Sequence, residues 1–501
     1  MMRSPRRRVR IAVVLGTVSF FVGLCAYVWV IPALESALSS PIYDRSRFRL
    51  ITLRAPEVVN PTTLQFGRDG ALYVGMRSGL IGRLTIVEEG GALQVRAAEQ
   101  IRAVQEIPNH DDSGNPLPEL RERLVTGIAA AGTAADPVLF VSSSDPRIDH
   151  DGIDTNSGVI SRLVRKGRVW TRTDLVRGLP RSRYDHAPHG IAIDETRSVL
   201  YVSIGGNTNL GAPSQPFRML SEYPLSGAIL SIDLAAIGGK TYDLPTLDDP
   251  TRAGAVDTND PFGGNSGRNA AVAVPDSPVQ IHAEGLRNAY DLALTPAGIF
   301  TIDNGANTGF GGPPGAHGAA RSAEVEGGGG TLDALYFVRR AGLFLGHPNP
   351  ARRRSTGPKE APLQQFRAST NGLAVYAPES GRWERRLLAV SLDGTLSLLE
   401  LDAASVGVER RSVLLANLPG MPLDVWSQNR SEPLPGSIWI ADFGDSAVHV
   451  LVPAVGSAGA PLATVREMSR VALAKLLLRG IALRHDLLDT LRALRLGVSG
   501  P

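Results

Sequence analysis

Cysteine is nearly missing from this chain: among 501 residues there is one, Cys25. Everything after it is therefore without a disulfide, a Cys-ligated zinc, an iron–sulfur cluster or a haem attached through Cys-x-x-Cys-His. Aromatic residues are also few, at 6%, and charged residues make up 20%. There is no collagen period, no heptad array, no Gly-x-Ser-x-Gly elbow, no Walker loop and no His-Glu-x-x-His pair. The glycine-rich stretch Gly309–Gly315 sits in no strand–helix frame, so it is not a dinucleotide fingerprint.

What is abundant is the turn former. Glycine (54) and proline (35) together reach about 18% of the chain, against a usual ~12%. That excess points to many tight turns rather than long helices. The apolar fraction, 43%, is ordinary and supports a buried core.

The net charge of +3 is unevenly placed. Arg3, Arg6, Arg7, Arg8 and Arg10 precede residue 11, and the tail from Pro461 carries seven Arg or Lys against Glu467, Asp486 and Asp489. The body between them is acidic, which argues against a nucleic-acid partner. Ile11 to Leu34 contains no charge. At 1.5 Å per residue a helix over this stretch spans a hydrocarbon layer of ~30 Å. The arginines before it hold that side in the cytoplasm, so the rest is expected on the periplasmic or extracellular side of the cell membrane. The expected organisation is a basic segment 1–10, a single-pass transmembrane anchor 11–34, a linker 35–49, a body 50–460 and an amphipathic helical tail 461–501.

In the body one unit recurs: an apolar strand, a turn with Asp, Gly or Pro, and a second strand ending in a small residue. Copies start near Pro61, Val125, His189, Tyr290, Asn371 and Leu423. Third strands such as Gly82–Ile86 and Ala228–Asp233 follow. Six such units predict an all-β fold, a six-bladed β-propeller closed radially on itself. Loops near 107–119, 145–157, 208–223, 236–277, 308–330 and 348–365 interrupt the repeats, and function is expected there.

Three polar constellations stand out. The first is Asp185-His186-Ala-Pro-His189, where a histidine at a blade entry can serve as a base. The second is Gly285-Leu-Arg287-Asn288 with Asp303-Asn304-Gly305-Ala306-Asn307. It offers a cation, an amide and backbone carbonyls suited to an oxygen-loving cation. The third is Asp149-His-Asp151-Gly-Ile-Asp154, whose carboxylates suit calcium or simply a solvated loop.

These runs, with Leu179-Pro-Arg-Ser, Val199-Leu-Tyr-Val-Ser and Gly346-His-Pro-Asn-Pro350, resemble the glucose/sorbosone dehydrogenase family over most of residues 50–455. The resemblance implies a propeller that oxidises a sugar or an aldehyde with pyrroloquinoline quinone (PQQ) and calcium. It places the catalytic base at His186 and cofactor- and active-site-facing groups at Arg287 and Asn288, with Asn304 beside them. It places calcium-holding carbonyls at Gly305 and Ala306. The chain also departs from the pattern. Gly206 stands where the family has an aspartate orienting the base. Asp393 stands where a lysine meets the quinone, and Met421 and Leu423 stand near its paired arginines. Since each charge-assisted hydrogen bond is worth ~1.5–3 kcal/mol, losing several weakens PQQ binding by orders of magnitude, unless Arg287 or Arg352–Arg354 substitute. Two other functions stay open on the same scaffold. One is a non-redox propeller binding a glycan or protein. The other is a calcium-dependent lactonase-like hydrolase using Asp291, Asp303, Asn304, Asn371 and Asp424.

Overall fold

The computed structural model describes residues 40–454, apart from 248–260, 315–330, 355–356, 368, 380–381 and 431. The expected anchor 11–34 and helical tail 461–501 lie outside the described residues, and among the described ones no helix is long and apolar enough to cross a membrane.

Six sheets, antiparallel apart from two short parallel edge pairings, are arranged in chain order. Blade I is Pro61–Phe66, Leu72–Met76, Ile81–Glu89 and Ala92–Ile101. Blade II is Leu124–Gly132, Pro137–Ser144, Gly158–Lys166 and Val169–Leu179. Blade III is Pro188–Asp194, Val199–Ile204, Ala228–Asp233 and Val279–Glu284, and blade IV is Ala289–Thr295, Gly298–Asp303, Asp333–Val338 and Gln364–Phe366. Blade V is Thr370–Val375, Arg386–Ser391, Thr395–Leu401 and Val408–Ala416. Blade VI takes Pro422–Ser427, Ile438–Asp442 and Ala447–Pro453 from the end of the body and Phe48–Leu53 from its start. Phe48 pairs with Pro453 and Leu53 with Val448, so the two ends of the body lock each other and the ring has no open edge. The stretch expected as a linker therefore begins the fold: Ile42–Tyr43 already pairs with Leu415 and Ala416 on the outside of blade V.

The core lies between blades, where each sheet presses apolar side chains on the next. Trp439 of blade VI, fully buried, meets Phe66 of blade I edge-on with ring centroids 4.8 Å apart. Emptying such a site costs ~3–5 kcal/mol.

The innermost strands share one irregularity. Each of the six carries a register shift near its start, at Pro61/Thr63, Val125/Gly127, Pro188/Ile191, Ala289/Leu292, Thr370/Gly372 and Pro422/Asp424. A bulge bends the strand toward the axis and frees backbone groups. There the blades approach closely. A Cβ on Gly190 would lie 2.6 Å from Asp291 Cα, and one on Gly372 would lie 2.6 Å from Asp424 Cα. Glycine is required at both by the neighbouring backbone.

Candidate functional site

The long loops collect on the face where the innermost strands begin. They surround a mouth with a cavity of about 520 Å³, walled by Asp185, His186, Arg287, Asn288, Asn304 and Asp333 among others. The structure thus brings together the candidates from residues 185–186, 287–288 and 304–306, which are far apart in sequence.

His186 is 2% exposed, and the loop that carries it is wound around a guanidinium. Arg181, fully buried, donates through Nη1 to the carbonyls of Ser182, Tyr184 and His186, and through Nη2 to that of Arg147. The imidazole Nδ1 lies 2.7 Å from the carbonyl oxygen of Gly206. A carbonyl only accepts, so Nδ1 carries the proton and Nε2 is left with its lone pair. Burial, reinforced by the Arg287 charge, holds the His186 pKa well below the usual histidine range, which keeps that lone pair available at neutral pH. The Gly206 backbone thus fixes the orientation and tautomer of the imidazole. A side chain there would collide, because a Cβ on Gly206 would sit 2.9 Å from Glu222 Oε1.

Arg287 is buried and donates through Nε to Asn209 Oδ1 at 3.1 Å, with its guanidinium over Phe217. Its backbone N–H and that of Asn288 are both captured by Asp303, at 2.9 and 2.7 Å. Burial raises the Asp303 pKa to about 6, and those two N–H groups oppose the rise. Asn288 Nδ2 reaches Asn304 Oδ1 at 3.3 Å, while Asn288 Oδ1 lies 2.9 Å from His189 Nε2. His189 is buried and neutral, its pKa pushed by burial down to about 3.

The turn that carries Gly305 and Ala306 is held by Asp333, which accepts from the Gly305 N–H at 2.8 Å, and by Thr331. The Ala306 carbonyl accepts from the Thr331 N–H at 2.9 Å, leaving one lone pair. Asn304, Gly305, Ala306 and Asp333 line the cavity together and bring oxygens of the kind a hard cation such as calcium takes, with both Asp333 oxygens and Asn304 Oδ1 already accepting N–H groups.

The same mouth does not fit a tricarboxylate such as PQQ. Asp393 is exposed in a tight turn and accepts from the Thr395 N–H, Met421 is 45% exposed, and Leu423 brings no charge. Arg352 and Arg354 do not substitute, since both pair with Glu284 and neither lines the mouth. Arg287 and Arg367 face Asp185 and Asp333 there, so the charges nearly balance.

Two sequence expectations are corrected. Asp149, Asp151 and Asp154 do not converge on a metal. Asp149 and Asp151 are solvated and pair with Arg218, whereas Asp154 is fully buried and turns inward to accept the N–H groups of Asn156, Gly263 and Gly264. The carboxylate–amide set proposed for hydrolysis is also divided. Asp303 is engaged by backbone behind the mouth, Asn371 accepts from Ser369 Oγ, and Asp291 and Asp424 face a different cavity.

Sequence reasoning gave no role to Glu222 and His347. Glu222 is fully buried and accepts from the N–H groups of Asn207 and Thr208, from the hydroxyls of Thr208 and Ser226, and from His347 Nε2 at 2.9 Å. These donors, His347 first among them, outweigh burial and hold the Glu222 pKa down at about 2. The His347-Pro-Asn run was visible in sequence, but its partner lies 125 residues away.

No family model matches the sequence, and no curated protein does. Among solved structures, the chain is similar to a carbohydrate-active enzyme of family AA12 from Trichoderma reesei, at 12% identity, with 83% of this chain and 98% of that one covered and a TM-score of 0.52. It is also similar to the PQQ domain of pyranose dehydrogenase from Coprinopsis cinerea, at 12% identity over 82% and 97%, with a TM-score of 0.50. At these identities the likeness shows the six-bladed propeller fold.

Proposed function

We propose that this protein is an oxidoreductase of the sugar-dehydrogenase type, which takes a sugar or an aldehyde into the mouth and uses His186 as its base. The observation that carries this reading is the 2.7 Å contact between His186 Nδ1 and the Gly206 carbonyl, which presents a neutral Nε2 beside Arg287 and Asn288. In the proposed step Nε2 takes the proton of a bound hydroxyl, the carbon's hydride leaves to a two-electron acceptor, and a carbonyl forms. Arg287 offsets the negative charge that builds on the oxygen. The acceptor belongs to a class without three carboxylates, such as an uncharged quinone, because the two cations of the mouth, Arg287 and Arg367, are balanced by Asp185 and Asp333. Calcium suits the oxygen donors around Gly305 and Ala306. The apolar segment 11–34 supports an exported, membrane-anchored setting.

The test is a dye-linked assay of purified protein over a panel of aldoses and aldehydes, with PQQ or an uncharged quinone, with and without calcium. Turnover with the uncharged quinone that is lost in His186→Gln supports the reading. Saturable PQQ binding at micromolar concentration would show the missing cations to be replaced. The three uncharged or acidic positions 393, 421 and 423 favour one further reading, a sugar-binding propeller without redox chemistry. A binder would retain its ligand in His186→Gln and show no turnover with any acceptor.

A further inference from the structure

The axis has a second opening. On the face where the innermost strands end, a cavity of about 360 Å³ runs inward and shares no lining residue with the mouth described above. At about 3.3 Å per residue, the strand run from Asp424 to Ser427 makes it ~10 Å deep. Its walls are the aliphatic side chains of the six inner strands, such as Ile128, Ile191 and Leu373. Its floor is formed by Asp291 and Asp424.

The two aspartates occupy corresponding places, at the bulges of blades IV and VI. Each reaches across to the next blade: Asp291 Oδ2 accepts the Leu373 N–H at 3.0 Å, and Asp424 Oδ2 accepts the Leu64 N–H at 2.8 Å. Their other oxygens accept the N–H groups of Leu292 and Val425 at 2.8 and 2.7 Å. Asp291 keeps accessible surface although it lies at the centre of the ring, so that surface faces the cavity. Higher up the wall stand Glu432 and the half-buried indoles of Trp383 and Trp426. The cavity thus holds three carboxyl groups against one guanidinium, Arg382, which sits exposed at the rim.

An excess of carboxyl groups at the end of an apolar, indole-walled recess selects a ligand with a positive head and an apolar body. A bare divalent ion is poorly served, because every oxygen of the pair already takes a backbone N–H and the wall above is aliphatic. We infer that this second cavity binds a small organic cation, a primary amine or amidine, with its head on the Asp291–Asp424 pair and its body against Trp383 and Trp426. The site is separate from the mouth and does not depend on the reaction proposed there.

The test uses the full-length protein and three probes of one shape: 2-phenylethylammonium, 2-phenylethanol and phenylacetate. Calorimetry and tryptophan fluorescence should show saturable one-to-one binding of the ammonium, about tenfold or more weaker binding of the alcohol, and none of the acid. Asp291→Asn combined with Asp424→Asn, which removes the charge a pair sharing one proton keeps, should weaken the ammonium by about tenfold or more. Glu432→Gln, at the rim and away from the axial packing, should weaken it by a smaller factor and serves where the double change does not fold. His186→Gln should bind the ammonium as the parent does. Equal affinity for ammonium and alcohol, no saturable binding to the parent, or loss of binding in His186→Gln would each overturn the assignment.

Discussion

The two ends of the axis are made by the same six inner strands, yet their acids do different work. At the mouth the buried acids are occupied by protein donors. Asp303 holds the N–H groups of Arg287 and Asn288, Asp333 holds those of Gly305 and Thr370, and Glu222 holds His347 and the 207–208 backbone. The mouth needs them because its walls are long loops, whose polar backbone has no strand partner. His186, Arg287 and Asn288 then face a ligand together with the two acids that line the cavity, Asp185 and Asp333. At the other end some connections are tight, as at Arg68–Gly70 and Pro296–Ala297, while those at 376–385 and 428–437 run to ten residues. There Asp291 and Glu432 retain surface toward the cavity. Acids cap backbone N–H groups at both ends; at the second, Asp291 and Glu432 cap them and still keep surface toward their cavity.

Glu222→Ala attacks the consuming end most directly. It strands His347 and four further donors in a fully buried place, so a loss of ~3–5 kcal/mol is expected in urea unfolding. The parent's own pH dependence should carry the same signature. The Glu222 pKa, about 2 in the fold against 4.5 for a free glutamate, is depressed. Its contribution, on the order of 3 kcal/mol, is therefore full above pH 4.5 and lost as pH falls toward 2. A Glu222→Ala protein with unchanged stability at pH 7 would sink the view that these acids build the mouth.

His186→Gln keeps the shape of the mouth and removes its base. Turnover should fall by ~10²–10⁴-fold with the melting temperature nearly unchanged. In the parent, the acid limb of the rate profile should lie below pH 6.5, because His186 stays unprotonated there. An acid limb above that pH would assign the base elsewhere.

The comparison also marks what the sequence could reveal. The six strand units were legible because apolar alternation and Gly-containing turns repeat locally. His186, Arg287, Asn288 and Asn304 were legible because each lies at the start or end of such a unit, and in a propeller those ends meet at the axis. The role of Gly206 was not, because a backbone carbonyl has no residue type to announce it. Glu222 with His347, and Asp291 with Asp424, were hidden as pairs because their partners lie 125 and 133 positions apart and are joined only by ring closure. Asp149, Asp151 and Asp154 misled for the opposite reason: closeness in sequence did not make them one cluster, since the chain turns Asp154 inward between its neighbours.

At the exposing end, Asp291→Asn should flatten the loss of stability as pH rises above the ordinary carboxylate range. Burial, and Asp424 beside it, hold the Asp291 pKa well above 3.8. A raised carboxyl pKa favours the fold below the unfolded value, and that contribution is lost as pH rises through the folded one. The parent should therefore lose melting temperature as pH rises from about 3.8 toward the folded value, and Asp291→Asn should lose less. Parallel curves for the two proteins would mean that the pair is not a site of shared protonation.

The smallest effect is expected where the sequence suggested a metal. Arg218 joins the exposed Asp149 and Asp151 at 2.9 and 3.5 Å, and its own side chain is one-third exposed. Ion pairs of this kind contribute ~0–1 kcal/mol, less at high salt. Arg218→Ala should thus leave the melting temperature within about two degrees of the parent. The paired change Asp149→Asn with Asp151→Asn should leave any calcium response of the protein as it is. If those two changes removed a calcium-dependent rise in melting temperature, the loop would bind metal after the Arg218 contacts open. The contrast between a solvated loop and the oxygen-lined turn at Gly305 and Ala306 would then have to be redrawn.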